Sequence, residues 1–185
     1  MSITIHDVPG SGPYALTAGP DGGLWFTLVG SGEVGRYDVE AGETALYPVG
    51  PDAGPTIIVP GPDGALWFTE IGAGRIGRMT PDGAVTHGPL ADPAARPHGI
   101  CAGPDARMWF TEWAGNAVGS VDSEGRIRRY ELPMPGAEPH GIALGPDGAL
   151  WAALEAGSLA RLAPPRHDVT HLTFTRLAGD TPVFQ

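Results

Sequence analysis

Two short segments carry residue types capable of acid–base work. Arg96-Pro97-His98-Gly99-Ile100 and Glu138-Pro139-His140-Gly141-Ile142 share a Pro-His-Gly-Ile core and stand 42 residues apart. Histidine titrates near neutrality, so either imidazole can take or give a proton at physiological pH. Glu138 lies two residues before His140, and on an extended strand side chains two apart share one face. A second carboxylate, Glu155, follows in the next strand and turn. Imidazoles and carboxylates that converge make an acid–base and metal site. Whether they converge depends on the elements that carry them.

Those elements are repeated. GPDGGLWFTL begins at 19, GPDGALWFTE at 61, GPDARMWFTE at 103 and GPDGALWAAL at 145, an unvarying interval of 42. Pro-Asp-Gly is hairpin chemistry, since proline presets φ and Asp-Gly accommodates a tight reversal. The LWFT run that follows has strand composition. A Gly-containing turn leads to a third strand, as in VGRYD, IGRMT and VGSVD, and a further turn to an outer strand such as IRRYELP at 127–133. YALTA, TIIVP, HGICA and HGIAL supply the strand before each GPD turn. Four short strands every 40–45 residues is the pattern of β-propeller blades. The expectation is an all-β propeller of four four-stranded blades over residues 1–163, followed by an irregular tail, 164–185. ITIHDVP at 3–9 reads as an outer strand able to complete the last blade, with VTHLTFTR at 169–176 as a competitor for that edge.

The period allows blade-by-blade comparison. The residue after the inner-strand proline is Tyr14, Thr56, His98 and His140 in turn, and two places earlier stand Gly12, Gly54, Arg96 and Glu138. Equivalent positions point the same way around a propeller axis, so His98 and His140 are expected on adjacent blades at one mouth, with Tyr14 on the same ring. Three after the blade tryptophan come Leu28, Glu70, Glu112 and Leu154, and Glu155 follows in a turn one residue short. A one-residue shift changes the face a side chain presents, so Glu155 is expected to differ in direction from Glu70 and Glu112. Those two read as hydrogen-bonded strand-end residues. Trp25, Trp67, Trp109 and Trp151 recur with the blade as core. Trp113 falls outside that motif and suits either ligand stacking or packing, while His6 and His87 read as surface residues.

Composition narrows the classes. The 29 glycines and 20 prolines among 185 residues fall in strict order, which argues for a folded repeat array. A net charge of −10 repels phosphate backbones, so nucleic acid is not an expected partner. The single cysteine, Cys101, excludes an intrachain disulfide and a thiolate zinc cluster. There is no run of 18 apolar residues to span a membrane, and MSITIHDVPG lacks signal-peptide character, so a cytoplasmic location is expected.

GPDGALWFTE with the IGRMTPDG that follows, and above all ARPHGI and AEPHGI, closely resemble the virginiamycin B lyase (streptogramin B lyase) family over about residues 3–162. The resemblance implies a carbon–oxygen lyase that opens the lactone of streptogramin B-type cyclic depsipeptide antibiotics. It carries Glu138 and Glu155 onto the family's Mg²⁺-binding glutamates, His140 onto its proton-transfer catalyst and His98 onto a substrate-binding histidine. Family propellers have seven blades, so four repeats leave three arrangements: a small closed ring, an open arc prone to self-association, or a larger ring built from two chains. The residues by themselves also allow a non-catalytic propeller that binds a small molecule or peptide.

Overall fold

The computed structural model describes residues 1–163; the tail and its VTHLTFTR run lie outside the described residues. Fifteen strands form four antiparallel sheets in chain order, with no helix among the described residues. The first sheet contains β1 (Pro13–Ala18), β2 (Leu24–Leu28), β3 (Glu33–Asp38) and β4 (Glu43–Pro48). The second contains β5 (Pro55–Pro60), β6 (Leu66–Glu70), β7 (Arg75–Met79) and β8 (Val85–Pro89). The third contains β9 (Pro97–Ala102), β10 (Met108–Glu112), β11 (Ala117–Val121) and β12 (Ile127–Glu131). The fourth has three strands among the described residues: β13 (Pro139–Leu144), β14 (Leu150–Leu154) and β15 (Ser158–Leu162).

Each repeated residue has a local task. The turn aspartate accepts the indole N–H of the tryptophan four residues on, at 2.8 Å for Asp21 and Trp25 and 3.0 Å for Asp63 and Trp67. The same bond recurs at 2.9 Å for Asp105 and Trp109 and 3.0 Å for Asp147 and Trp151. In three sheets the aspartate's other oxygen accepts from Arg36, Arg78 or Arg161 on the third strand. In the remaining sheet Ser120 stands in that place, and Arg107 at the turn's end donates to the Ser120 hydroxyl at 3.0 Å. A second pairing sets Phe26, Phe68 and Phe110 opposite Gly35, Gly77 and Gly119, where a Cβ would strike the ring. The fourth sheet changes both partners together, to Ala152 and Ala160.

The core lies between sheets. Trp25 clusters with Leu66 and Phe68, Trp67 with Met108 and Phe110, and Trp109 with Leu150 and Ala152. β1 packs on β5, β5 on β9 and β9 on β13. The two ends of this succession are open. Leu16 on β1 is 64% exposed, whereas the equivalent Ile58 and Ile100 are 2% and 3% exposed. Leu159 on β15 is 67% exposed, against 0–1% for Val34, Ile76 and Val118. Among the described residues, the outward faces of the first and last sheets are therefore uncovered. Residues 3–9 are not the outer strand expected for the last blade. Instead His6 Nδ1 lies 2.8 Å from the Tyr37 hydroxyl, against the first sheet.

One buried hydroxyl registers each sheet on the next. Thr27 accepts the Ala15 N–H of its own inner strand at 3.1 Å and donates to the Thr56 carbonyl of the following sheet at 2.6 Å. Thr69 does the same for the Ile57 N–H and the His98 carbonyl, at 3.3 and 2.7 Å. Thr111 links the Gly99 N–H to the His140 carbonyl, at 2.9 and 2.6 Å. All three threonines are fully buried. Thr111→Val keeps the shape but strands two backbone groups, so urea unfolding should show a loss of about 2–3 kcal/mol, with Thr111→Ser recovering most of it.

Candidate active site

Three columns of repeat positions meet at one mouth of the arc. Gly12, Gly54, Arg96 and Glu138 all have left-handed backbones, with φ of 69°, 55°, 52° and 50°. Each of their carbonyls accepts an N–H from the turn after the second strand: Val29, Ile71, Trp113 and Glu155 respectively, at 2.9–3.1 Å. Between them on the inner strand come Tyr14, Thr56, His98 and His140. In the first two sheets these columns hold Gly, Tyr or Thr, and an aliphatic residue. In the third they hold Arg96, His98 and Trp113, and in the fourth Glu138, His140 and Glu155.

Trp113 thus occupies the repeat position of Glu155 and is not outside the repeat. Glu155 does differ in direction from Glu70 and Glu112, because it sits one residue further along. The shortened turn begins beyond it: Gly157 N–H reaches the Leu154 carbonyl three residues back, whereas Gly32 and Gly74 reach four back. Glu70 and Glu112 are buried strand-end residues as expected. Glu70 accepts from Arg75 at 2.7 Å and Glu112 from Arg129 at 2.8 Å. His87, expected as a surface residue, also contacts Glu70, at 2.7 Å.

The Thr69 and Thr111 relays set two inner strands side by side, and their imidazoles meet edge to face with centroids 4.8 Å apart. His140 Nε2–H donates to Glu155 Oε2 at 3.1 Å, and Trp113 Nε1–H donates to the same oxygen at 3.3 Å. Both of these bonds fall on one Glu155 oxygen, Oε2. The Trp113 N–H first, then the His140 N–H, hold the Glu155 carboxyl below the ordinary glutamate value. Tyr14 reaches across from the first sheet, its hydroxyl 3.4 Å from His98 Nε2. Arg96 lies over the Trp113 ring at 5.7 Å, extending the set outward. The structure therefore gathers Tyr14, His98, His140 and Glu155, and places exposed Glu138 beside them through its backbone bond to Glu155. Sequence reasoning gives Arg96 no role and leaves Trp113 open between ligand stacking and packing. The interval of 42 from Trp113 to Glu155 was the available signal.

The donor set suits a cation with oxygen ligands and retained water. Two carboxylates adjoin, and among the described residues no three His, Cys, Asp or Glu side chains form a ligand cluster. Mg²⁺ needs no more than one or two carboxylates. Glu138 and Glu155 are the residues that would hold it.

His98 differs from its neighbour. Its Nδ1 is buried and has no hydrogen-bond partner among the described residues. Burial first, and the neighbouring His140 charge second, push the His98 pKa down, so the ring is neutral at pH 7. An unfolded histidine titrates near 6.5 and then binds a proton that the folded ring refuses, so this site favours folding less as pH falls below about 6.5. Thermal melts should fall over that window, and His98→Gln should flatten the fall. Left-handed non-glycine residues cost about 1–3 kcal/mol. Glu138→Gly should accordingly raise stability by up to about 1 kcal/mol in denaturant unfolding, since glycine's freedom in the unfolded chain offsets part of the relief.

The virginiamycin B lyase family profile matches residues 1–162. A virginiamycin B lyase from Mycolicibacterium smegmatis is 62% identical over 40 residues, covering 22% of this chain and 14% of the relative. One from Streptomyces coelicolor is 56% identical over 48 residues, 26% of this chain and 16% of the relative. The crystal structure of a catalytically inactive virginiamycin B lyase from Staphylococcus aureus with quinupristin aligns with a TM-score of 0.81 and 36% identity, covering 85% of this chain and 54% of that one. The chain spans about half the length of that solved relative. No helix among the described residues is long and apolar enough to cross a membrane. Carrying the blade motif, the paired Pro-His-Gly-Ile strands and the profile match across nearly all of its length, the chain belongs to the virginiamycin B lyase family.

Proposed function

We propose that the chain is a magnesium-dependent carbon–oxygen lyase that opens the lactone of streptogramin B-type cyclic depsipeptides, inactivating the antibiotic. The reaction is an elimination. A base removes the α-proton of the threonine-derived residue, the C–H electron pair becomes the Cα=Cβ double bond, and the Cβ–O pair departs on the carboxylate.

The observation that carries this reading is the His140–Glu155 hydrogen bond beside the His98 ring. With its Nε2–H given to Glu155, neutral His140 keeps its lone pair on Nδ1, the atom available to take the α-proton. The imidazolium then formed lies against a carboxylate, which offsets its charge. Trp113 holds the same carboxylate from the other side, so the base keeps its orientation. His98, kept neutral by burial, and Tyr14 line the substrate's approach without adding a like charge beside His140. Mg²⁺ held by Glu138 and Glu155 would supply positive charge near the oxygens that become negative. The bound quinupristin of the S. aureus relative supports a depsipeptide as the substrate class.

One observation favours a second reading, a binding propeller without turnover: the outward faces of the first and last sheets are bare. A macrocycle would then meet only part of a wall. Incubation of the chain with a streptogramin B lactone and Mg²⁺, followed by mass spectrometry, decides between the two. The lyase reading expects conversion to the opened dehydro product, loss of activity in chelator and recovery on adding magnesium. An intact lactone where a full-length family enzyme converts it leaves the binding reading. His140→Ala should lower the rate about 10²–10⁴-fold with an unchanged circular dichroism spectrum.

A further inference from the structure

Seven of the nine arginines among the described residues are tied to carboxylates: Arg36, Arg75, Arg78, Arg107, Arg126, Arg129 and Arg161. The two without an ion-pair partner are Arg128, exposed on the outer strand β12, and Arg96 at the mouth. On a chain with a net charge of −10, a guanidinium left without a carboxylate is a local exception. Arg96 is also held in place. Its backbone is left-handed at a position where the first two sheets use glycine, and its guanidinium lies over the Trp113 ring at 5.7 Å. It also borders an open cavity of about 430 Å³ lined by Ile71, Gly72, Pro93 and Ala94. The site therefore offers a planar cationic fork, lying over an aromatic ring and bordering a recess of mixed polar and apolar lining. A guanidinium in this state recognises carboxylates best, with two parallel hydrogen bonds.

We propose that Arg96 and this recess form a carboxylate subsite that receives the acid end released when the ring opens. The inference rests on the lyase reading above. An intact lactone carries an ester at the scissile position, and elimination converts that ester oxygen into a carboxylate. A fork at the mouth thus engages the product more strongly than the substrate. It draws the departing acid away from His140 and makes release of the opened peptide slower than entry of the ring.

The test is equilibrium binding by calorimetry, in a His140→Ala background so that the ring is not consumed. The two probes are intact quinupristin and quinupristin whose lactone has been opened by alkaline hydrolysis. With Arg96 present, the opened acid should bind at least about tenfold more tightly than the ring. Arg96→Gln should remove most of that preference, weakening binding of the opened acid several-fold more than binding of the ring. Arg96→Lys, which keeps the charge but loses the fork, should recover part of it, and it carries the same comparison where the Gln variant fails to melt as a folded chain. Equal affinity for the two probes, or equal loss for both on substitution, overturns the subsite. Because the opened probe is made without the enzyme, the outcomes separate. Acid preference without turnover by the unsubstituted chain sinks the lyase reading alone, and turnover without an Arg96-dependent preference sinks the subsite alone.

Discussion

A single buried hydroxyl per blade, shared between two inner strands, is the constraint from which the site follows. Thr69 and Thr111 each take an N–H from their own sheet and give a proton to a carbonyl of the next, and those carbonyls belong to His98 and His140. Neither bond involves an imidazole. By fixing the backbone at each histidine, they set the spacing of the rings before any side-chain interaction is made. Loss of one would leave two polar groups unpaired in a water-free layer, which is costlier than losing a hydrogen bond at the surface. The fourth sheet has Ala153 in this position, exposed, and among the described residues no sheet follows it.

On that scaffold, chemistry is concentrated by substitution at three recurring positions. The first two sheets use two of them for structure: glycine where the backbone turns left-handed, and Val29 or Ile71 where the turn closes; only Tyr14, in the column between, reaches the site. The third and fourth sheets keep the same backbone and put Arg96 and Glu138 at the left-handed position. Non-glycine residues there are strained, and the strain falls on the two blades that carry the imidazoles, where functional side chains are usually held. The same logic accounts for Trp113 and Glu155. They share a backbone position and meet in space, indole N–H to carboxylate, because neighbouring sheets present that position side by side.

Compensated exchanges elsewhere show how tightly each repeat is specified. Arg107 arrives where Ser120 replaces the usual arginine, and Ala152 arrives with Ala160 where Phe and Gly face each other in the other sheets. Both exchanges can be read in the sequence once the period is known. The bare faces at Leu16 and Leu159 cannot. Those residues are as apolar as their buried counterparts, and what distinguishes them is that no sheet among the described residues adjoins them.

Much of this protein was determined by its linear order alone. The interval of 42, the Asp-Gly turns and the recurring Trp-Phe strands dictate antiparallel sheets, since local turn geometry and alternation act over a few residues. The columns of equivalent positions follow from the same period, and so does the grouping of Tyr14, His98, His140 and Glu138, whereas Glu155 joined them through the family resemblance. Tertiary structure alone decided the rest. It set which face of the first sheet stays open and where residues 3–9 lie. It brought Tyr14 to His98 across the arc, and it tied Glu155 to both Trp113 and His140. These contacts join residues tens of positions apart, and their distances depend on how the sheets stack and curve, a property of packed faces that no local pattern encodes.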